Sequence, residues 1–342
     1  MKKISVLLLI LYMLLFTNLA QAETVILEYQ NHIFARNNNF SVYKLWQEEY
    51  ADLTTEIDER VEGFFYSQHR NVFQQEEGRY YFGYLNQSAK SFSGAKQTAL
   101  FLIEREKEEY SQENYKLEGQ SLKQDVEGLF FARNILADRV DGLDLFIEAK
   151  LLSGIEYRER DYQAQVARRN NMYYFSGSRS GIYSELSQEE RWREINFFSY
   201  GYSLGFNLVW ELDSDLAISF KGDDIHNQIL WNDIYTIELD YSDGGRFDYE
   251  QLVSSFPAVY DFALKFSRLE VGLNYYDKFY PYLNFELLQS PLGLKLGIYD
   301  GMLNLKLDSD NLQANLVTSQ LDLFNAEGFA LDFSFVPLEI KF

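Results

Sequence analysis

The sequence predicts an all-β chain closed into an antiparallel barrel that crosses a membrane, a meander of about 14–18 strands at ~10 residues per strand plus turns. Three observations predict this. The chain opens with a segment of the kind that directs export and is then removed. No later stretch approaches the ~20 apolar residues that a membrane helix needs. In its place, segment after segment alternates apolar and polar residues at period two, with turn residues between.

The composition agrees. Of 342 residues, 46% are hydrophobic, which excludes general disorder, and the aromatic share is 17%, supplied mainly by 28 Phe and 26 Tyr. Phe and Tyr suit pleated surfaces, and Tyr suits a boundary that is wet on one side. A mean hydropathy of -0.30 excludes a bundle of apolar helices. With no Cys, disulfides, thiolate metal sites, thiol nucleophiles and a lipidated Cys are all excluded. The formal charge of -21 repels phosphate backbones, so no nucleic-acid partner is expected.

Residues 1–22 read as a signal peptide. Lys2 and Lys3 precede an apolar run from Ile4 to Phe16, and Ala20-Gln21-Ala22 is a small-x-small cleavage pattern that leaves Glu23 first. Residues 23–342 are then the barrel domain. Within it, Trp46, Tyr50, Leu53, Ile57, Val61 and Phe64 recur at helical spacing, and Ser41 can cap them. Residues 41–65 are therefore expected as a short N-terminal helix, either a plug or periplasmic segment or a helix packed on the barrel end, with a strand of misleading spacing as the alternative. Tyr80–Tyr84, Thr98–Leu102 and the run from Leu143 to Tyr157 are expected as strands. The charged stretches 104–113 and 188–194 are expected as solvated loops.

The clearest strand is Phe198–Leu212. Phe198, Tyr200, Tyr202, Leu204, Phe206, Leu208, Trp210 and Leu212 fall on one face, and Ser199, Gly201, Ser203, Gly205 and Asn207 on the other. Tyr200 to Trp210 spans about 25 Å along the membrane normal at ~3.3 Å per residue and a tilt of ~40°, the height of an apolar band between aromatic girdles. Similar alternation runs through Leu216–Phe220, Tyr235–Tyr241, Tyr260–Phe266, Leu269–Tyr275, Leu283–Leu287, Leu292–Ile298, Leu303–Leu307 and Phe329–Phe335. Asp213-Ser214-Asp215, Asp243-Gly244-Gly245, Asp300-Gly301 and Asp308-Ser309-Asp310 supply turns.

The last residues carry a resemblance. Val336, Leu338, Ile340 and the final Phe342 alternate with Pro337, Glu339 and Lys341. Together with the signal peptide and the aromatic alternation, this ending resembles that of bacterial outer-membrane β-barrel proteins as a class. The resemblance implies a cell outer membrane address, lipid as surroundings, and a terminal strand read by the barrel-assembly machinery. Pro337 departs from the pattern. It cannot donate to a ladder and the apolar phase switches beside it, so a bulge is expected there.

No catalytic, metal or cofactor site is predicted. Gly177-Ser178-Arg179-Ser180-Gly181 has Arg where a nucleophile elbow needs Ser, and is read as a loop. His32, His69 and His226 lack ligand spacing, and His226 beside Asp223 and Asp224 is read as a polar loop. The Asp-Ser-Asp triplets lack a full calcium ligand ladder. The small, polar inward set suggests a pore, transport or structural role, not an enzyme. The alternative is a soluble exported β-rich binding protein whose apolar faces form an internal core.

Overall fold

The computed structural model describes residues 24–38, 57–75, 79–137, 139–169, 172–184, 199–213, 215–240, 244–288, 292–309, 311–320 and 326–341. Period-two alternation becomes strand throughout. The chain rises through β1 (Thr24–Asn37), descends in β2 (Arg60–Gln75), rises in β3 (Tyr80–Ala95), and descends in β4 (Asn114–Asn134) before rising again in β5 (Leu143–Arg169). Next come β6 (Met172–Tyr183), β7 (Tyr200–Glu211), β8 (Leu216–Asp240), β9 (Gly244–Ser254) and β10 (Val259–Phe266). The meander ends in β11 (Leu269–Tyr275), β12 (Phe279–Leu288), β13 (Gly293–Tyr299), β14 (Met302–Ser309), β15 (Leu312–Thr318) and β16 (Gly328–Lys341).

These segments form one closed ring. β16 returns to β1 antiparallel, with Thr24 facing Lys341 and Arg36 facing Gly328. β7 pairs the first half of β5 and β6 pairs its second half, so β6 and β7 run the same way and make one wall position. β9 and β10 likewise share one position along β8. The ring is therefore fourteen-stranded. The count is even, which puts both chain ends at one end of the barrel, here called the terminal end. The opposite end is the distal end.

The faces follow the sequence. On β7, Tyr200, Tyr202, Leu204 and Trp210 are exposed on the outside, whereas Ser203 is fully buried inside. Phe198 lies outside the described residues. Past β8, the outer skin continues as Phe262, Leu264 and Phe266 on β10, Val271 on β11, then Leu283 and Phe285 on β12. Aromatic residues meet at its edges, with Tyr275 5.0 Å from Phe279 and Tyr260 6.0 Å from Tyr275 between ring centroids. Two of the expected turns are seen, whereas Gly244 and Gly245 begin β9, Asp308 and Ser309 end β14, and Asp243 and Asp310 lie outside the described residues. Asp213 Oδ1 accepts from the N–H groups of Asp215 and Leu216 at 2.8 Å each, and Asp300-Gly301 closes a two-residue hairpin with φ of 45° and 83°.

The barrel is taller on one side. β4, β5 and β8 hold 21, 27 and 25 residues, whereas β11, β13 and β15 hold 7 each. Helix α1 (Lys96–Lys107) packs on the tall side, burying Ala99, Phe101 and Ile103 against Tyr115, Leu117 and Val166. This corrects the strand expected over Thr98–Leu102. A short, unbroken apolar run has no period of its own, and Gln97, Ala99 and Leu100 are strong helix formers. The loop expected over 104–113 begins inside this helix, which ends where Glu108 turns left-handed at φ 56°.

Two other expectations change. Val61 and Phe64 lie in β2, so residues 60–65 are strand, and Trp46, Tyr50 and Leu53 lie outside the described residues. Their neighbours alternate inward and outward along β2, and that pairing overrides the helical spacing. Gly177–Gly181 is part of β6 rather than a loop, with Gly177 at φ 108°. The stretch 188–194 lies outside the described residues.

Replacing Phe206 by Arg should cost about 2–4 kcal/mol, because its side chain faces the apolar skin near mid-height. Replacing Asn207, which points inward, should cost less. Equilibrium unfolding in detergent or lipid measures both, and equal costs would contradict the assigned faces.

Candidate functional site

The inward faces of the strands build three layers inside the ring. The first is an ion cluster on the tall side, and a bulge in β8 creates it. Leu204 of β7 pairs with His226 and Phe206 with Gly222, so Gly205 alone faces Asp223, Asp224 and Ile225. Asp224 adopts φ 55°. Consecutive strand residues ordinarily point to opposite faces, but this bulge buries both carboxylates in the lumen. Lys150 of β5, with no exposed side-chain surface, donates to Asp224 at 2.9 Å and lies 3.7 Å from Glu148 and 3.9 Å from Asp223. Asp224 also accepts from Gln87 and Ser203, each at 2.5 Å. Arg70 of β2 pairs with Glu148 and lies over the Phe130 ring at 3.9 Å, and Lys221 meets Asp223 at 2.7 Å. Arg70, Lys150 and Lys221 thus balance Glu148, Asp223 and Asp224.

The polar loop expected around His226 is this bulged strand. Bulge and alternation separate the group, since Asp223 and Asp224 face the lumen while His226 is exposed outside, 3.1 Å from Tyr202 Oη.

The second layer is aromatic and lies toward the distal end. Tyr276, in the turn between β11 and β12, folds inward and stacks on Phe34 of β1 at 4.1 Å. Tyr280 meets Phe34 at 4.9 Å and stacks near Tyr299 at 6.1 Å. Phe34, Tyr66 and Tyr280 are almost wholly buried. Beside them Phe256, in the link from β9 to β10, is also buried. Its backbone is clamped by Asn227, which accepts from the Phe256 N–H at 2.6 Å and donates to its carbonyl at 3.1 Å.

The third layer is a polar chamber of about 370 Å³. It is bounded by the aromatic layer, the Arg70–Asp223 side of the ion cluster, and the walls β10–β16 and β1. His32 stands at its border. Its Nε2 is 2.8 Å from Tyr276 Oη, and its Nδ1 pairs with Asp332. A chain of amides crosses the opposite wall. Asn304 Nδ2 donates to Asn284 Oδ1 at 2.8 Å, Asn284 Nδ2 donates to Glu270 at 3.3 Å, and Lys295 pairs with Glu270. Gly297 stands between the two asparagines, and a Cβ there would sit 2.2 Å from Asn284 Oδ1. Gly272 likewise leaves room for the Tyr282 ring, which reaches Asp261 at 3.4 Å.

The chamber presents fixed donors and acceptors beside the ring faces of Tyr66, Tyr276, Tyr282 and Tyr299. His32 and Asp332 are 300 residues apart and joined only by ring closure, so no sequence spacing marks them. Among the described residues no group of three or more His, Asp or Glu is placed to hold a metal. Of the residues singled out from sequence, Ala20, Ala22, Glu23 and Phe342 lie outside the described residues. Val336, Leu338 and Ile340 fall on β16, where Leu338 faces Leu27 and Ile340 faces Val25. The bulge expected at Pro337 is present, since Glu28 alone faces Val336 and Pro337.

The ion cluster yields a stability prediction. Replacing Lys150 by Met strands Asp224 in a dry site and should cost about 3–5 kcal/mol. Adding Asp224→Asn should recover part of that loss. Denaturant unfolding of the single and double variants checks it, and a single variant as stable as the parent would mean that the pair carries no buried charge.

No protein-family model matches the chain, and no curated protein matches it. Among solved structures it is similar to the TodX monoaromatic hydrocarbon channel deltaS2 mutant, at 6% identity over 92% of this chain and 88% of that one, TM-score 0.45. It is also similar to the β domain of the Bordetella autotransporter BrkA, at 12% identity over 91% and 99%, TM-score 0.33. A third is the Escherichia coli outer membrane protease OmpT, at 4% identity over 94% and 98%, TM-score 0.27. These likenesses carry nothing about ligand or reaction. The barrel stands on its own strand pairing, and in fold the chain is an outer-membrane-type β-barrel.

Proposed function

We propose that the protein is an outer-membrane transport barrel that admits a small polar solute to its luminal chamber. The observation that carries this is a polar, hydrogen-bonding chamber inside a closed ring whose outer skin is apolar. A soluble binding protein would leave Phe279, Phe266, Ile298 and Val253, each about 60% exposed, in water around its circumference. In lipid the same residues are satisfied, and the ring closes through β5, β7, β8 and β10 to β16 and β1, so no sheet edge is open at that height.

The Tyr276 turn is the closure in this reading. Tyr276 belongs to a connection of three residues, not to the ladder, yet it holds the chamber's distal side through Phe34 and His32. Moving one turn would open the aromatic layer without breaking strand pairing. The purified barrel in a planar bilayer should therefore conduct weakly, and Tyr276→Ala should raise single-channel conductance severalfold. If Tyr276→Ala and a Tyr276→Ala/Phe256→Ala variant both stay silent while folded, the transport reading fails.

Export and assembly form part of the same proposal. The mature chain should begin at Glu23 on N-terminal sequencing. Deleting Phe342 should sharply lower outer-membrane levels, because the last strand closes the ring and a frayed end residue would otherwise matter little. Normal abundance of the deletion variant in the outer-membrane fraction would remove the C-terminal assembly signal from this account.

A further inference from the structure

The chamber's hydrogen-bonding groups are out of balance, and the imbalance has a direction. A carboxylate can only accept, so Glu270 fixes Asn284 with its NH2 toward the acid. Asn284 then offers its oxygen to Asn304, whose NH2 is consumed and whose Oδ1 is left over. Asp332 fixes Asn315 in the same way, with Asn315 Nδ2 donating at 3.0 Å. Among the described residues Asn31 Oδ1, Asn304 Oδ1 and Asn315 Oδ1 are buried and accept no hydrogen bond, against Arg70 Nε and the Tyr66 hydroxyl as unpartnered groups that can donate, so the leftover groups of the lining are mostly acceptors. All three asparagines line the chamber. Leaving such acceptors unpaired costs about 1–3 kcal/mol each.

The charges lean the same way. Arg70, Lys150 and Lys221 are matched by their own carboxylates, and Lys295 and Lys306 share Glu270, the latter at 3.9 Å. Asp261 and Glu28 also line the chamber, and neither makes an ion pair within 4 Å among the described residues, although Lys221 stands across the ladder from Asp261 and is held by Asp223. Asp261 receives only the Tyr282 hydroxyl at 3.4 Å, and Glu28 receives the Gln30 amide at 3.0 Å and the Ser334 hydroxyl. Asn274 and Gln313 carry a donor and an acceptor each and tip the balance neither way. Tyr66, Tyr276, Tyr282 and Tyr299 add ring faces, which attract cations further.

We infer that the chamber takes a small organic cation with several N–H donors, an alkylammonium or guanidinium compound. Such a ligand supplies donors to Asn304 and Asn315 and countercharge to Asp261 and Glu28. A neutral polyol supplies only the donors, a quaternary ammonium only the charge, and an anion neither.

This inference rests on the transport reading, and the test separates the two. The intact barrel in detergent is titrated calorimetrically with 1,4-diaminobutane, 1,4-butanediol, tetramethylammonium and acetate. Diaminobutane should bind at least tenfold more tightly than the other three. Asp261→Asn, which keeps the shape and the Tyr282 contact, and Glu28→Gln should each weaken it severalfold. Heat-modifiable gel migration reports whether each variant is folded, and either variant alone decides if the other is not. Binding of butanediol or acetate as tight as diaminobutane, or diaminobutane binding indifferent to the folded variants, overturns the cation assignment. Absence of diaminobutane binding does so too. In each case a Tyr276→Ala or Tyr276→Ala/Phe256→Ala barrel that still conducts leaves the transport reading standing, and silence of both folded variants removes both readings.

Discussion

The pairing of β16 with β1 is the interaction on which the rest of the structure depends. Inside a bilayer no water is present to bond a free strand edge, so a sheet survives there only if its last strand meets its first. Twelve register pairs make that joint, from Thr24 with Lys341 to Arg36 with Gly328. The joint also brings together groups that the chain keeps apart. His32 meets Asp332 across it, and Glu28 meets Ser334. The polar chamber thus owes part of its wall to the closing seam.

Closure at fourteen strands leaves an interior that inward side chains can nearly fill, and what fills it must satisfy itself. The ion cluster does so in charge, matching three cations with three carboxylates and adding Gln87 and Ser203 as donors, although Arg70 Nε and Glu148 Oε1 have no hydrogen-bond partner among the described residues. The aromatic layer does so by stacking, with the Tyr276 hydroxyl spent on His32. The chamber differs, because carboxylates orient its amides and leave carbonyl oxygens without donors. A cluster whose charges close among themselves is structural, and a chamber whose leftover groups are mostly acceptors is shaped for something else.

Small irregularities place these groups. The bulge at Asp223–Ile225 turns two adjacent carboxylates into the lumen, where a regular strand would send one to lipid. The bulge at Val336 and Pro337 absorbs a residue that cannot donate and switches the apolar phase of β16. Gly297 lets Asn284 and Asn304 meet across an intervening strand, and Gly272 admits the Tyr282 ring. In each case the backbone gives up a regular feature and a polar side chain gains a position.

The sequence by itself determined the faces, the turns and the ring. Alternation from Tyr200 to Trp210 is a local property, because successive side chains of a strand point oppositely whatever the partner. Asp300-Gly301 closes its hairpin for an equally local reason, the tolerance of positive φ. Even the bulge beside Pro337 was legible, since proline lacks the N–H that the ladder requires. Local pattern failed where it had no period, as over Thr98–Leu102, or the wrong one, as at Val61 and Phe64, whose helical spacing yields to pairing with β1 and β3. Only the tertiary structure decided the chamber. His32 and Asp332, or Asn304 and Asn284, become neighbours through ring closure and through a glycine on a third strand. A polar residue on an inward face looks the same in sequence whether it ends in an ion pair, under an aromatic layer or facing an empty acceptor. Its partner is set by curvature and register, which no single strand contains.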